Sequence, residues 1–231
     1  MVAAPRGGAA GRGSGPAPGR DETPTLPMLA ASRGSAAGLG GGPAIAFAPE
    51  LLLAARGGGD GIAAAIFDVD GVLTDGRLYI GESGETFKAF STLDGQGLKL
   101  LAQAGIAPIV VSGRDSAAVR YRVAELGIAQ AAYGAADKMA AAAQLVDALG
   151  LGWDRVAAIG DDWPDLPILR RAAFACAPPH AHVEVRAVAH HVTVAAGGRG
   201  AAREFCDLLL VAAGRYAALL RGPQFTLDGP R

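Results

Sequence analysis

The clearest hydrophobic pattern in the chain is the unbroken apolar run from Ile62 to Phe67. A run without polar alternation predicts a strand that is buried on both faces, as in a parallel sheet. Asp68 and Asp70 follow this run directly. Ligands bind beyond the carboxyl ends of such strands, and buried carboxylates are costly unless they are paired or bound to metal. The pattern therefore predicts that residues 68–75 form an active-site loop.

After this strand, the pattern predicts a β-hairpin and then a regular alternation of helices and strands. Two β-prone runs within residues 77–90 flank the glycine-containing loop 81–84, which is typical of a hairpin. The other predicted strands cover residues 108–112, 128–133, 155–159, 174–177 and 191–194. The predicted helices cover residues 49–53, 96–104, 116–126, 137–149, 166–173, 183–189 and 201–220. Such alternation with short connections predicts an α/β fold with a doubly wound, Rossmann-like parallel sheet.

Composition divides the chain into three parts. Residues 1–48 are rich in Gly, Ala, Pro, Ser and Arg and hold few large apolar side chains, which predicts a disordered, low-complexity leader. The periodic pattern extends over residues 49–220 and predicts a single domain there. Residues 221–231 lie beyond this pattern, and we expect them to form a loose tail. Because 51% of the 231 residues are apolar, this domain can bury a substantial core.

Charge and cysteine content narrow the classes of partner. The formal net charge is −1, whereas binding to nucleic acid or to a membrane surface favours a basic excess. No apolar run approaches the ~20 residues that span a bilayer. Two cysteines, Cys176 and Cys206, do not make a disulfide framework and fit a reducing compartment. We therefore expect a cytoplasmic protein without nucleic-acid or membrane partners.

Polar side chains that could take part in catalysis or metal binding occur in four clusters along the chain. Because the carboxyl ends of parallel strands meet at one edge of the sheet, we expect these clusters to converge. They comprise Asp68, Asp70, Thr74 and Asp75; Ser112, Gly113, Arg114 and Asp115; Lys138 at the start of a helix; and Asp161, Asp162 and Asp165.

The residue types in these clusters suit phosphoryl transfer. Mg²⁺ prefers oxygen ligands and keeps substrate phosphates in its shell, so Asp68, Asp161 and a loop carbonyl could hold it. A second carboxylate near a nucleophilic one, here Asp70, can protonate a leaving oxygen and later activate water. Lys138 and Ser112 can stabilise phosphoryl oxygens. The set predicts a nucleophile, an acid/base, a metal site and a charge clamp.

The order of these motifs resembles that of the haloacid dehalogenase superfamily phosphatases. The stretch Asp68-Val-Asp-Gly-Val-Leu-Thr-Asp75 is similar to their first motif, and Ser112, Lys138 and the segment 160–165 match the second to fourth. Within the superfamily, the chain further resembles the family of 3-deoxy-D-manno-octulosonate 8-phosphate phosphatases between about residues 62 and 215. The shared segments are Lys88-Ala-Phe90, Asp94-Gly-x-Gly97, Ser112-Gly-Arg114 and the stretch 197–207.

This resemblance implies a capless fold with a hairpin insertion, and hydrolysis of 3-deoxy-D-manno-octulosonate 8-phosphate in lipopolysaccharide precursor biosynthesis. Asp68 would form an aspartyl-phosphate, and Asp70 would act as acid and then base. Mg²⁺ would be held by Asp68, the Asp70 carbonyl and Asp161. The 77–90 hairpins would pack together in a homotetramer. The residues implied to contact the sugar-acid phosphate are Asp70, Ser91, Thr92, Leu93, Asp94, Gly95, Lys99, Arg114, Arg122 and Lys138.

Other hypotheses remain open at this stage. The same chemistry could act on a sialic-acid-type sugar phosphate. Residues 91–93, where some relatives carry Asn and Arg, and residues 178–182 depart from the family pattern. A phospho-accepting receiver domain carries its acid pair on the first strand and its acceptor later, which is the reverse of the order here. A catalytically silent oligomeric relative would have no need of an intact Asp68 and Lys138. Among the secondary acids, we expect Asp165 to orient Lys138 or the metal shell.

Overall fold

The computed structural model describes residues 45–222, which contain a six-stranded parallel sheet and a separate two-stranded antiparallel hairpin. The leader predicted over residues 1–48 and the tail predicted over 221–231 lie outside the described residues, apart from 45–48 and 221–222. Among the helices of the described range, none has the length and apolar character that crossing a membrane requires.

The elements follow one another in the alternation that the pattern predicts. The strands are β1 (Ala64–Phe67), β2 (Tyr79–Gly81), β3 (Gly84–Phe87), β4 (Ala107–Val111), β5 (Gln130–Ala132), β6 (Val156–Ile159), β7 (Phe174–Ala177) and β8 (His191–Val192). The helices are α1 (Pro49–Ala54), α2 (Thr92–Gln103), α3 (Ala117–Glu125), α4 (Lys138–Ala148), α5 (Leu166–Arg171), α6 (Val183–Val188), α7 (Ala201–Ala212) and α8 (Tyr216–Leu220). The sheet order is β5-β4-β1-β6-β7-β8.

Strand β1 lies at the centre of the sheet because every one of its side chains can be buried. It pairs in parallel with β4 on one side and β6 on the other, and Phe67 is in register with Val110 and Ile159. All four residues of β1 are at most 2% exposed. The prediction of a doubly wound α/β sheet is confirmed, and β1 delivers Asp68 to the carboxyl edge between two neighbouring strands.

Alternate side chains of β1 enter two different cores, one on each face of the sheet. Ala65 and Phe67 pack in the core that includes α2, α3 and α7, whereas Ala64 and Ile66 pack in the core that includes α4, α5 and α6. Phe67 meets the ring of Phe205 edge-on, with 5.4 Å between the ring centroids. Helices on both faces therefore fix the position of the strand end that carries the acids.

Two predicted helices differ from the structure. The helix predicted from residue 96 begins at Thr92, with Ser91 as its N-cap, because tertiary contacts override the weak helix propensity of the 94–97 segment. The single helix predicted over residues 201–220 is wrong. Gly214 has a φ of 68° and ends α7, and the backbone hydrogen bonds of 2.9 Å from Gly214 to Val211 and from Arg215 to Leu210 form a Schellman motif.

The predicted hairpin is present as β2 and β3. Gly81 pairs with Gly84 across the turn, and the rings of Tyr79 and Phe87 stack with centroids 4.4 Å apart. The hairpin follows β1 as an insertion before α2, and β2 and β3 form a sheet of their own beside the main one. The hairpin is therefore free to contact the residues beyond the end of β1.

Candidate active site

The loop after β1 is shaped by one glycine and one threonine. Gly71 has a φ of 92°, and a Cβ atom at this position would collide with the carboxylate of Asp161. The buried Thr74 hydroxyl donates to the Val69 carbonyl at 3.3 Å and accepts from the Gly71 N–H at 3.4 Å. These contacts fold the loop back on itself and bring the end of β1 against the loop that follows β6.

Three carboxylates meet at this edge of the sheet. Asp68, Asp161 and Asp165 each place an oxygen within 4.8 Å of the others. Lys138 enters the cluster from the start of α4, and its Nζ lies 2.6 Å from Asp68 Oδ1 and 2.8 Å from Asp165 Oδ1. The convergence predicted from the separate motifs is therefore present for Asp68, Lys138 and Asp161.

Asp165 supports the cluster through both of its oxygens. Oδ1 accepts from Lys138, and Oδ2 accepts from the backbone N–H groups of Asp161 and Asp162 at 3.1 and 3.3 Å. Asp162 completes a reciprocal capping box with Asp165 around the short turn Trp163–Asp165. Because the oxygens of Asp165 are already engaged, Asp68 and Asp161 are the carboxylates best placed to bind a cation.

Electrostatics in the cluster favour a bound cation. Burial raises the pKa of Asp68 well above its ordinary value, and the nearby Asp165 raises it further, while Lys138 opposes both. Burial and Asp165 also raise the pKa of Asp161 to about 6. Burial would lower the pKa of Lys138, but Asp68 and Asp165 outweigh it, so the ammonium stays charged.

Three carboxylates therefore face one ammonium, and the site holds an excess of negative charge. A divalent cation would relieve this excess. The donors are all oxygen atoms, which Mg²⁺ prefers, whereas zinc sites typically use histidine and cysteine. The residues present fit Mg²⁺.

Asp70 lies in a different electrostatic environment from Asp68. Its Oδ1 accepts from Lys88 Nζ at 2.5 Å, and its Oδ2 lies 3.9 Å from Arg114 Nε. Glu85 completes a closed set, with Oε1 3.0 Å from Lys88 and Oε2 3.4 Å from Arg114. We call these four alternating charges, Asp70, Lys88, Glu85 and Arg114, the charge ring.

The charge ring is partly withdrawn from water. The side chain of Lys88 is only 1% exposed, and that of Glu85 is 16% exposed. Burial would raise the pKa of Glu85, but the hydrogen bonds and charges of Lys88 and Arg114 outweigh it and hold this pKa below its ordinary value. Glu85 is therefore an ionised partner for both cations.

The predicted Ser112 lies at the end of β4, where it is buried. Its hydroxyl donates to the Arg114 carbonyl at 2.8 Å and accepts from the Arg114 N–H at 3.2 Å. These bonds hold the loop that carries Arg114 toward Asp70. The structure thus joins Ser112 to Arg114, while its contact with a phosphoryl group stays a prediction.

The predicted substrate contacts at the start of α2 divide into exposed and buried residues. Thr92, Leu93 and Lys99 are exposed, and their contact with a substrate stays a prediction. Arg122 reaches this segment from α3 and donates to the Ser91 carbonyl at 3.3 Å. Gly95 leaves the room that the guanidinium of Arg122 occupies, because a Cβ atom there would collide with it.

Asp94, by contrast, lies inside the protein. It is 1% exposed, and its carboxylate accepts from the backbone N–H groups of Arg203 at 2.8 Å and Gly200 at 3.3 Å. Asp94 therefore joins α2 to the first turn of α7. Through this contact the 94–97 segment is joined to the 197–207 segment, and the Asp94 carboxylate does not face solvent.

The glycines before α7 pack against the active-site loop. Gly198 donates its N–H to the Val72 carbonyl at 2.9 Å. Gly197 lies so close to the Gly71 carbonyl that a Cβ atom could not be accommodated, and His180 Nε2 lies 3.0 Å from the same oxygen. The segments at 178–182 and 197–200 thus pack against the backbone of the loop.

Sequence reasoning missed Lys88, Glu85 and His180 as site residues. The signal for the first two was their spacing of three along a hairpin strand, next to an acid pair, which is weak without knowledge of how the hairpin folds. His180 lies in a segment that departs from the family pattern, so the resemblance gave no expectation for it. All three become visible only through contacts between segments distant in sequence.

The chain is similar to known phosphatases over most of its described length. A sequence model of the haloacid dehalogenase-like hydrolase family matches residues 133–204. The 3-deoxy-D-manno-octulosonate 8-phosphate phosphatase KdsC of Salmonella typhi is 41% identical over 150 residues, which are 65% of this chain and 80% of that protein.

Solved structures give the same result. The 3-deoxy-D-manno-octulosonate 8-phosphate phosphatase of Moraxella catarrhalis, in complex with magnesium ion, phosphate ion and KDO, is 40% identical with a TM-score of 0.69, over 74% of this chain and 96% of that one. The cobalt-bound deoxy-D-mannose-octulosonate 8-phosphate phosphatase of Haemophilus influenzae is 38% identical with a TM-score of 0.69, over 73% and 98%. The chain therefore belongs to the haloacid dehalogenase superfamily and, within it, to the family of 3-deoxy-D-manno-octulosonate 8-phosphate phosphatases.

Proposed function

We propose that this phosphatase hydrolyses 3-deoxy-D-manno-octulosonate 8-phosphate to 3-deoxy-D-manno-octulosonate and phosphate, as a step in lipopolysaccharide precursor biosynthesis. The observation that carries this proposal is the buried Lys138 ammonium, which lies between Asp68 and Asp165. The relatives of this chain are named as phosphatases of the same substrate. Lys138 supplies positive charge where a phosphoryl group would bind, next to Asp68, the proposed nucleophile.

In the proposed mechanism, Asp68 attacks phosphorus and forms an aspartyl-phosphate while the bond from phosphorus to the sugar oxygen breaks. Asp70 gives its proton to that leaving oxygen and takes a proton from water in the second step. The water then attacks the aspartyl-phosphate, which restores the Asp68 carboxylate and releases phosphate. Lys138 and Ser112 would contact the phosphoryl oxygens.

Mg²⁺ is the proposed cofactor, and Asp68, Asp161 and the Asp70 carbonyl would hold it. When bound, it would neutralise charge on the phosphoryl oxygens. The proposal is supported by the oxygen donor set of the acid cluster and by the magnesium ion in the Moraxella catarrhalis enzyme.

Substrate recognition is proposed to use cationic and polar groups around the acid cluster. Arg114 is half-exposed and suits a carboxylate or phosphate of the substrate, because its planar guanidinium can make two parallel hydrogen bonds. The other proposed contacts are Asp70, Ser91, Thr92, Leu93, Gly95, Lys99, Arg122 and Lys138. Asp94 is left out of this set because its buried carboxylate is bound to the backbone of Gly200 and Arg203.

We further propose that the enzyme is a cytoplasmic homotetramer. The hairpin region exposes Leu78, Ile80 and Phe87, whose exposed fractions are 47%, 63% and 55%. An apolar surface of this kind is typical of an interface between subunits. Cys176 and Cys206 are free and buried, in keeping with a reducing compartment.

A panel of phosphate esters tests the substrate. With Mg²⁺, the wild type should release phosphate from 3-deoxy-D-manno-octulosonate 8-phosphate with a kcat/KM on the order of 10²-fold above that for hexose 6-phosphates or nucleotides, because charged recognition groups discriminate strongly. Phosphate release is measured colorimetrically. If a nine-carbon sialic-acid-type 9-phosphate is turned over fastest, the substrate assignment changes while the chemistry stands. Preference for hexose phosphates would contradict both sugar acids.

The Asp68→Asn variant tests the nucleophile. Turnover should fall on the order of 10⁴-fold or more, because the amide cannot form the phosphorylated intermediate. The ion pair between Lys138 and Asp165 remains, so the variant should stay folded by circular dichroism. Asp147→Asn, on the exposed face of α4, is the matched control and should keep wild-type kcat. Appreciable turnover in Asp68→Asn would show that another group attacks phosphorus.

Metal binding can be read without activity. Mg²⁺ should raise the melting temperature of the wild type, because a ligand that binds only the folded state stabilises it. Asp161→Asn removes one carboxylate of the cluster and should weaken or abolish this shift, whereas Asp147→Asn should preserve it. In the wild type, EDTA should stop phosphate release and Mg²⁺ should restore it. An undiminished Mg²⁺-dependent shift in Asp161→Asn would exclude this residue as a ligand.

The oligomeric state tests the hairpin interface. Light scattering after size exclusion should give about four times the chain mass of 23.2 kDa. Ile80→Glu places a charge on the apolar hairpin surface and should yield smaller species, whereas Val194→Glu, at a residue that is 83% exposed outside the hairpin, should not. A monomeric wild type would overturn the tetramer.

A further inference from the structure

Lys88 is a buried cation of the hairpin whose position depends on two carboxylates. Its ammonium lies 2.5 Å from Asp70 Oδ1 and 3.0 Å from Glu85 Oε1. A lysine that is 1% exposed has little water to replace a lost partner, so it is held firmly wherever its carboxylates are. Asp70 is thereby tied to β3, a strand that contributes nothing to the main sheet.

Glu85 fixes the geometry of the other three charges. Besides Lys88 and Arg114, it accepts from the Ser116 hydroxyl at 3.4 Å, which joins the hairpin to the start of α3. Without Glu85, Lys88 would keep Asp70 as its single carboxylate partner among the described residues. Glu85 therefore fixes the position of Lys88, and Lys88 in turn fixes the position of the Asp70 carboxylate.

The position of Asp70 matters because a general acid acts only within hydrogen-bond reach of the proton acceptor. A displacement of about 1 Å can cost on the order of 10²-fold in rate. Thr74 orders the backbone of the loop around Asp70, but the polar contacts of the Asp70 side chain itself are those with Lys88 and Arg114. The hairpin thus supplies the closest contact of this carboxylate.

We propose that Lys88, seated by Glu85, is a positioning residue that aims the Asp70 carboxylate at the leaving oxygen. This inference rests on the proposed role of Asp70 as the acid/base. It gives the hairpin a task inside its own subunit, in addition to the proposed subunit interface. The departure of a poor leaving group then depends on Lys88, whereas attack by Asp68 does not.

Two classes of phosphate ester separate these steps. The aryl oxide of p-nitrophenyl phosphate departs without a proton, whereas the primary alkoxide of a sugar phosphate requires one. In Lys88→Met, kcat/KM should fall on the order of 10²-fold for the sugar phosphate and less than about fivefold for the aryl phosphate. The comparison uses kcat/KM because it covers formation of the aspartyl-phosphate only. The second step, in which Asp70 takes a proton from water, is common to both esters and enters kcat. Lys88→Arg, which keeps a cation near Asp70, should recover the sugar-phosphate rate to within about tenfold of the wild type.

Glu85→Gln provides a second variant that preserves side-chain size. It should lower kcat/KM for the sugar phosphate about tenfold and that for the aryl phosphate less, because Lys88 remains but is held by one carboxylate fewer. Glu82→Gln, in the exposed turn of the same hairpin, is the matched control and should leave both rates unchanged. Light scattering on each variant separates an effect on Asp70 from an effect on assembly.

The outcomes distinguish this inference from the function on which it rests. Equal losses of kcat/KM on both esters in Lys88→Met and Glu85→Gln, or no loss in either, would overturn the positioning role while leaving the phosphatase intact. A loss that follows dissociation of the oligomer and is equal for both esters would also overturn it. If the wild type hydrolyses neither ester with Mg²⁺, the proposed function itself fails, and the inference with it.

Discussion

The constraint on which the site depends is charge balance around one buried ammonium. Asp68, Asp161 and Asp165 lie within 4.8 Å of one another at a largely buried edge of the sheet, where their mutual repulsion is costly without a cation among them. Lys138 meets this requirement from the first position of α4, where Asp137 caps the helix and the side chain can reach two acids at once. The sheet, the helix start and the loop after β6 must therefore assemble together for any of these acids to be tolerated.

The two acids of the first motif lie two residues apart but are held by unrelated parts of the fold. Asp68 is buried at the end of the central strand and faces Lys138, with its pKa raised by burial. Asp70 lies beyond the turn and faces Lys88 and Arg114 in the charge ring. The two carboxylates of this short loop are therefore held by separate sets of contacts, so each can take its own proposed role.

Support for the active-site loop comes from segments that lie far from it in sequence. Gly197 and Gly198 pack directly on its backbone, and His180 lies at hydrogen-bond distance from the Gly71 carbonyl. The carboxylate of Asp94 holds the first turn of α7 in the place that this packing requires. These residues, distant from the acids in sequence, thus act through the backbone of the loop, by restricting where the acids can lie.

The sequence by itself determined the alternation of strands and helices and the parallel sheet, because both follow from local hydrophobic patterns. It also determined that Asp68, Lys138 and Asp161 converge, because the carboxyl ends of parallel strands lie at one edge of the sheet. The end of α7 before Gly214 and the start of α2 at Thr92 were not predicted, since capping and tertiary contacts outweigh local helix propensity at these positions. Only the tertiary structure decided that Lys88 holds Asp70. A hairpin strand carries no rule for which distant carboxylate its lysine will meet, and that contact follows from how the hairpin packs beside the sheet.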